Sequence, residues 1–297
     1  MASPNNGVKI WTVLELITWS TAHLQEKKID EARLTVELML AHALKMKRIQ
    51  LYMNFDKPMT AEELASYKVL LKRRLNREPV QYILGETEFM GFPFTVDARV
   101  LIPRPETETL VEETVRCLKN LPRNGEPLAV LDVGTGSGCI AVSCAKLLPG
   151  TDVYGIDVSP DALEVAALNA ERNAVPVRFS PADIFSDMPL VSSRKFDAIV
   201  SNPPYISADV YATLQPEITD FEPRAAETDG ADGLSFYRRL AVVGKSMLAD
   251  DGFLALEHAY DQQEDVAGIL ADAGWRSVTA VRDYSGNPRC IIAREFA

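Results

Sequence analysis

Up to residue 85 the apolar positions recur at helical spacing. Leu14 and Ile17, then Leu34, Leu38 and Ala41, fall at three- and four-residue steps and mark one helix face. "DEARL" and "TAEEL" read as helix starts, with Asp30 and Thr60 as N-caps and acids in the first turn. "KPMT" separates two such helices. Residues 1–85 are therefore expected to form a small all-α domain of about four or five helices. Residues 86–102 carry Gly, Pro and aromatics with partial alternation, which predicts a β-hairpin connector. Pro103 and Pro105 stop any strand, and "ETETLVEETVRCL" follows as an amphipathic helix.

From there to the end, residues 103–297, short apolar runs alternate with helical stretches. The candidate strands are "LAVLDVG", "DVYGID", "VRFSPAD", "FDAIVSN", "GFLALEH", "SVTAVRD" and "RCIIARE". The candidate helices cover 140–148, 160–173, 235–248 and 261–273. Strands alternating with helices give right-handed crossovers and a parallel sheet. Only "DYSGNP" joins the last two runs, too little for a helical crossover, so those two should pair antiparallel. The fold class is α/β, with a seven-stranded, mostly parallel sheet and a small N-terminal all-α domain joined by a β-hairpin.

Charge changes the picture for partners. The net charge is −11, spread unevenly: residues 1–85 hold 13 basic against 9 acidic side chains, the rest 18 against 33. An acidic main body is a poor match for a nucleic-acid backbone. The positive excess at the front reads as an ordinary solvated helix face before it reads as a docking surface for an acidic partner. No run approaches the roughly 18 apolar residues of a membrane span. The start, "MASPNNGVKI", has neither a secretory nor an organelle-targeting pattern, so a cytoplasmic protein is expected. Cys117, Cys139, Cys144 and Cys290 form no C-x-x-C pair, and the histidines are scattered; neither metal nor disulfide is expected.

Two stretches carry chemistry. In "LDVGTGSGCIAVSCAKLL" a strand runs into a turn of Gly134, Thr135, Gly136, Ser137 and Gly138 and then a helix. The glycines allow a close backbone approach to a ligand, and free N–H groups at the helix start face it. Such a loop serves a dinucleotide, S-adenosylmethionine, or only a tight turn. "DVYGIDVSP" places Asp157 at the tip of the next strand, about twenty residues on, where a carboxylate accepts from both ribose hydroxyls of an adenosine. Turn chemistry ahead of Ser159-Pro160 is the other reading of Asp157. Asp183 and Ile184, after the third strand, fall beside the adenine position, where Ile184 or Phe185 could cover the ring.

The second stretch is "FDAIVSNPPYI", residues 196–206. Two prolines end a buried strand on a rigid corner. Asn202 offers an amide oxygen, Pro203 leaves a carbonyl free, and Tyr205 supplies a flat face. Together they describe a pocket for a planar group bearing –NH2. Such a nitrogen is a poor nucleophile. Two acceptors on its hydrogens favour the positive charge that develops as it is alkylated. The plain alternative is a strand-ending turn.

"DVGTGSG", "GIDVSP" and "SNPPY" together resemble class I S-adenosylmethionine-dependent methyltransferases acting on amino nitrogens, which have a Rossmann-like sheet. "REPVQYILGETEFMGFPFTVDARVLIPRPETE", the helical front and "LEHAYDQQEDV…GWRSVTAVRDYSGNPR" narrow this to the peptide chain release factor glutamine methyltransferases (the HemK family), over nearly the whole chain. The resemblance implies methylation of the glutamine side-chain nitrogen in the Gly-Gly-Gln motif of class-1 release factors. Gly134 to Gly138 would hold the methionine end of the cofactor, Asp157 the ribose, Asp183 and Ile184 the adenine region. Asn202 would reach both the reactive end of the cofactor and the substrate. Asn202, Pro203, Pro204 and Tyr205 would hold the glutamine amide, with Phe89 lining its pocket or packing the hairpin. Asn202, Pro203 and Tyr205 are the expected catalytic set. Residues 1–85 would contact the release factor body. Arg104 and Glu106 are read as supporting the hairpin, and His258 as a strand-end histidine rather than a base. A monomer is expected, without membrane or direct nucleic-acid partner. The alternatives are an adenine-N6 nucleic-acid methyltransferase, a nicotinamide dehydrogenase, and a non-catalytic binding module that keeps the cofactor fold.

Overall fold

The computed structural model describes residues 10–122, 125–186 and 194–296, so all of the opening "MASPNNGVKI" but Ile10 lies outside the described residues. The chain divides into two units, Met1–Leu84 and Gly85–Ala297. The first is helical: α1 (Val13–Glu26), α2 (Ala32–Ala43), α3 (Arg48–Tyr52), α4 (Ala61–Leu75) and α5 (Val80–Leu84). Helix α4 starts as its sequence dictates. Thr60 accepts from Glu63 N–H, and Glu63 reaches back to the Thr60 N–H, a reciprocal cap. Thr12 and Glu15 do the same for α1.

Two local readings are corrected. Helix α2 begins after Glu31, which sits in the left-handed region at φ 49° without a side-chain cap bond, so Asp30 is not its N-cap. The buried face of α1 runs through Val13, Leu16, Ile17, Ser20 and Leu24, leaving Leu14 exposed. In α2, Val36, Met39 and Leu40 are fully buried, with Leu34 and Leu38 half-buried on the flank. Both helices are apolar over more than one stripe. Packing of α2 against α1 and α4 decides which stripe faces the core.

The second unit opens with a hairpin of β1 (Glu86–Phe89) and β2 (Phe92–Thr95), turned through Met90 and Gly91, both at positive φ. Then come α6 (Pro105–Lys119), β3 (Ala129–Val133), α7 (Cys139–Leu147), β4 (Asp152–Asp157), α8 (Pro160–Arg172), β5 (Val177–Pro181) and β6 (Phe196–Ser201). Three short helices follow, α9 (Ala208–Tyr211), α10 (Pro216–Thr219) and α11 (Arg224–Glu227). The chain closes with α12 (Ser235–Met247), β7 (Leu248–Glu257), α13 (Gln263–Asp272), β8 (Trp275–Arg282) and β9 (Pro288–Phe296). The seven strands lie in the order β5-β4-β3-β6-β7-β9-β8, with β9 antiparallel to both neighbours. The sheet is Rossmann-like: the chain runs outward from β3 to β5, then returns to place β6 on the other side of β3.

Alternation along the strands sorts the core into two layers. Val130 of β3 joins Leu110 and Val111 of α6 and Ile140 and Val142 of α7. Ala129, Leu131 and Val133 face the opposite way, with Tyr237, Leu240, Val266 and Leu270 of α12 and α13. The hairpin belongs to the first of these layers. Phe89 and Phe94 are 1% and 0% exposed and meet edge to face at 6.0 Å. Each such burial is worth about 1.5–3 kcal/mol. Asn169 of α8, itself fully buried, accepts from Thr95 N–H at 2.7 Å and donates to Thr95 O at 3.0 Å and Ser137 O at 2.9 Å. One side chain thus ties the hairpin to the turn after β3.

Asn169→Ala would strand the buried Ser137 carbonyl and the half-buried Thr95 N–H and carbonyl, a buried group costing about 1–3 kcal/mol unpaired. Loss of about 2–4 kcal/mol in urea unfolding is expected; a loss under about 0.5 kcal/mol would show that the tie is not stabilising.

Candidate active site

A cleft of about 250 Å³ opens at the carboxyl ends of β3, β4 and β6, beside the point where strand order reverses. Its floor is the turn after β3. Gly134, Gly136 and Gly138 have φ of 72°, 53° and 78°, a path closed to most side chains. At Gly138 a Cβ would also meet the Ala166 Cβ at 3.0 Å, so α7 and α8 approach only because nothing is there. The Gly134 and Thr135 N–H groups both donate to Ile156 O at 2.9 Å. Asp157 steadies the same loop. Its carboxylate accepts from Gly136 N–H and Ser159 N–H, both at 2.9 Å, and lines the cleft. Turn chemistry and ligand contact are therefore not alternatives at Asp157, since a carboxylate has further lone pairs to offer.

Thr135 and Ser137 turn inward and are not among the lining residues. The Thr135 hydroxyl donates to Asp132 at 2.6 Å, and Asp132 also accepts from Ala141 N–H at 3.2 Å. Burial pushes Asp132 up to about 7. Asp183 and Ile184 line the far end of the cleft. Asp183 also accepts from Phe185 N–H, and the Arg239 guanidinium donates to Ile184 O at 2.6 Å, fixing that turn. Phe236, from α12, lines the cleft with its edge to Phe185 at 4.9 Å. Sequence spacing did not point to Phe236, because it comes from a helix far along the chain.

The corner after β6 forms the remaining wall. Asn202 and Pro204 line the cleft; Pro203 is buried and Tyr205 half-buried behind it. Asn202 Nδ2 donates to Thr107 Oγ1 at 3.2 Å, leaving Oδ1 without a donor among the described residues. Backbone contacts lock the corner. Ile206 N–H donates to Glu227 O, Gln262 Nε2 donates to Tyr205 O at 2.9 Å, and a Cβ on Gly233 would lie 2.2 Å from Tyr205 O. The expected set is thus split. Gly134, Gly136, Asp157, Asp183, Ile184, Asn202 and Pro204 share one cleft, whereas Thr135, Ser137, Gly138, Pro203 and Tyr205 stand one layer behind. Phe89 does not line it and packs in the core instead, because the hairpin folds its aromatic face inward.

Residues 15–85 match the PrmC N-terminal domain and residues 113–222 the methyltransferase small domain. A release factor glutamine methyltransferase of Geobacter sulfurreducens is 42% identical over 96% of this chain and 98% of its own. One from Chlorobaculum tepidum is 43% identical over 93% and 95%. The chain belongs to the release factor glutamine methyltransferase family. Its sheet is shared more widely. The hMettl16 catalytic domain, solved in complex with MAT2A 3'UTR hairpin 6, superposes with a TM-score of 0.54 at 16% identity, covering 73% of this chain and 82% of that one.

In this family member the cleft has a second wall that the sequence did not reveal. Arg99, Val100 and Leu101 line it on one side, and Pro223, Ala225 and Ala226 on the other. A buried ion cluster holds the two segments together. Arg104 pairs with Glu222 at 2.5 Å and Glu227 at 3.3 Å, and Glu222 also accepts from Ile102 N–H. Arg104 therefore braces the cleft wall rather than the hairpin. Burial, then the neighbouring Glu222 carboxylate, raises the Glu227 pKa, so among the described residues the cluster depends on Arg104 for its positive charge. His258 is fully buried, Nδ1 at 2.7 Å from Ala259 O, and burial lowers its pKa; it does not reach the cleft lining.

Arg104→Met would leave Glu222, 2% exposed at its side chain, without its cation. Denaturant unfolding should show a loss of about 3–5 kcal/mol, the cost of an orphaned buried charge. Stability within about 1 kcal/mol of wild type would remove the clasp.

Proposed function

We propose that this chain methylates the side-chain amide nitrogen of the glutamine in the Gly-Gly-Gln motif of class-1 release factors. The methyl donor is S-adenosylmethionine. The observation that carries the reading is the orientation of Asn202: its NH2 is spent on Thr107, so its oxygen remains for an incoming amide at the cleft. The shape of the cleft suits the cofactor. A glycine turn admits a chain close to the backbone, a carboxylate stands where a ribose would lie, and Ile184 and Phe236 offer apolar faces for a flat ring.

Bound there, the cofactor supplies an electrophilic methyl on sulfur. The protein does the rest by placement. Asn202 Oδ1 and the Pro203 carbonyl accept the two amide hydrogens of the glutamine, which raises electron density on nitrogen and stabilises the charge that grows there. The prolines hold these acceptors in one geometry before substrate arrives, so little entropy is lost on binding. Tyr205 stiffens the corner and sets its floor. No strong base is required, because the nitrogen becomes acidic as it is alkylated and sheds its proton to water. Residues 1–85 serve as the release factor contact, and the enzyme acts as a cytoplasmic monomer. No described helix is long and apolar enough to cross a membrane.

Mass spectrometry of a release factor treated with the enzyme and S-adenosylmethionine should find one added methyl on the Gly-Gly-Gln glutamine. Label appearing on nucleic-acid adenine instead would overturn the reading. Asn202→Ala should lower kcat about 100-fold while cofactor Kd moves little; equal losses in both would remove its role as amide acceptor. Asp157→Ala should weaken cofactor binding by about 1.5–3 kcal/mol, the worth of one charge-assisted bond, measured by calorimetry. Unchanged binding would take Asp157 out of the site.

A further inference from the structure

Behind Asn202 lies a buried acid that the mechanism above does not use. In the parallel pair of β6 and β7, Ser201 stands opposite Leu256, so the next residues, Asn202 just past β6 and Glu257 at the end of β7, follow side by side. Glu257 is 1% exposed, and among the described residues neither carboxylate oxygen has a hydrogen-bond partner. Thr107, 2% exposed on the first turn of α6, acts on both residues. It accepts from Asn202 Nδ2 at 3.2 Å; its hydroxyl makes no hydrogen bond to Glu257 in this geometry, yet it is the nearby group that most favours the ionised carboxylate.

A hydroxyl can donate or accept, so Thr107 alone cannot decide which end of the Asn202 amide faces the cleft. The two ends are nearly the same size. The decision falls to whatever receives the Thr107 proton. We propose that Glu257 and Thr107 are positioning residues for Asn202: ionised Glu257 takes the Thr107 hydroxyl proton, Thr107 Oγ1 must then accept from Asn202 Nδ2, and Asn202 Oδ1 turns to the substrate amide. Protonated Glu257 becomes a donor, which frees the Thr107 proton for Asn202 Oδ1. The amide can then flip and meet the substrate NH2 with its own NH2, donor against donor. The inference deepens the proposed function and rests on it.

The surroundings permit such a switch near neutrality. Burial pushes Glu257 up to about 7. From α6 and its N-cap, Thr107 and Arg104 favour ionisation and Glu106 opposes it; from β9, Arg289 favours it. Neutral hydroxyls and thiols complete the shell: Tyr205, Tyr237 (whose hydroxyl donates to the Glu257 carbonyl at 2.8 Å), Cys139 and Cys290. Since the ionised form is the competent one, kcat should fall as pH drops through the titration of Glu257.

The test uses the full chain, a release factor and S-adenosylmethionine. Thr107→Val should lower kcat about tenfold or more, with cofactor Kd changed less than about threefold, and Thr107→Ser should restore most of it. Glu257→Gln keeps an acceptor but cannot ionise, so the acidic limb of the kcat profile should vanish in that variant. Wild-type kcat in Thr107→Val, equal loss in Thr107→Ser, or an unchanged acidic limb in Glu257→Gln each overturns the proposal. A second measurement needs no turnover. The side-chain 15NH2 signal of Asn202, identified by its loss in Asn202→Ala, should shift with pH in wild type and not in Glu257→Gln. A wild type that leaves the glutamine unmodified while this signal titrates would sink the function and keep the positioning. An active wild type with an indifferent signal would sink the positioning alone.

Discussion

Strands β3 and β6 run parallel as neighbours, with Val130, Leu131 and Asp132 beside Ala198, Ile199 and Val200. Their carboxyl ends therefore emerge together, one as a glycine turn and the other as a proline corner. Ser201 reinforces the junction by donating from its buried hydroxyl to Val133 O at 2.7 Å. Break that pairing and the cofactor turn and the amide corner lose their common frame. Each loop is rigid by itself, one through positive-φ glycines and one through prolines. Only the pairing brings their ligand-facing atoms to the same cleft.

Polar groups buried around this frame act in layers. Asp132 holds the glycine turn from beneath through Thr135 and Ala141, Asn169 ties it to the hairpin, and Asp157 fastens its front edge. On the opposite side, Arg104 gathers Glu222 and Glu227 so that two loop segments can line a ligand site without being held by the sheet. Removing one member of such a cluster costs more than the cluster contributes, because the partner stays buried and charged. The wall is thereby specified in position more than it is stabilised.

Much of this was legible from residue order. Period-two and period-3.6 patterns located the seven strands and the long helices to within a few residues, and the short link before β9 announced its reversal. Thr60 was readable as a cap because its partner, Glu63, lies three residues away. Where local signals were weak, the reading slipped. Asp30 looks like a cap, but the chain turns through Glu31 instead. Leu14 looks like core, yet the apolar stripe of α1 next to it won. Phe89 was open between lining the pocket and packing the hairpin, and the hairpin's inward pleat took it into the core.

Motifs within one loop are set by local geometry. Gly134, Gly136, Asn202 and the two prolines restrict their own backbones, so the order of residues alone determined a ligand turn, a rigid amide corner and the sheet that carries them. What only the tertiary structure decided is everything that needs residues distant in the chain to meet. The pairing of Arg104 with Glu222, the arrival of Phe236 at the cleft, and the contact of Thr107 with Asn202 are examples. Each joins segments about a hundred residues apart or brings a distant helix to a strand end. Such contacts follow from how helices pack on the sheet, and no pattern along the chain encodes them.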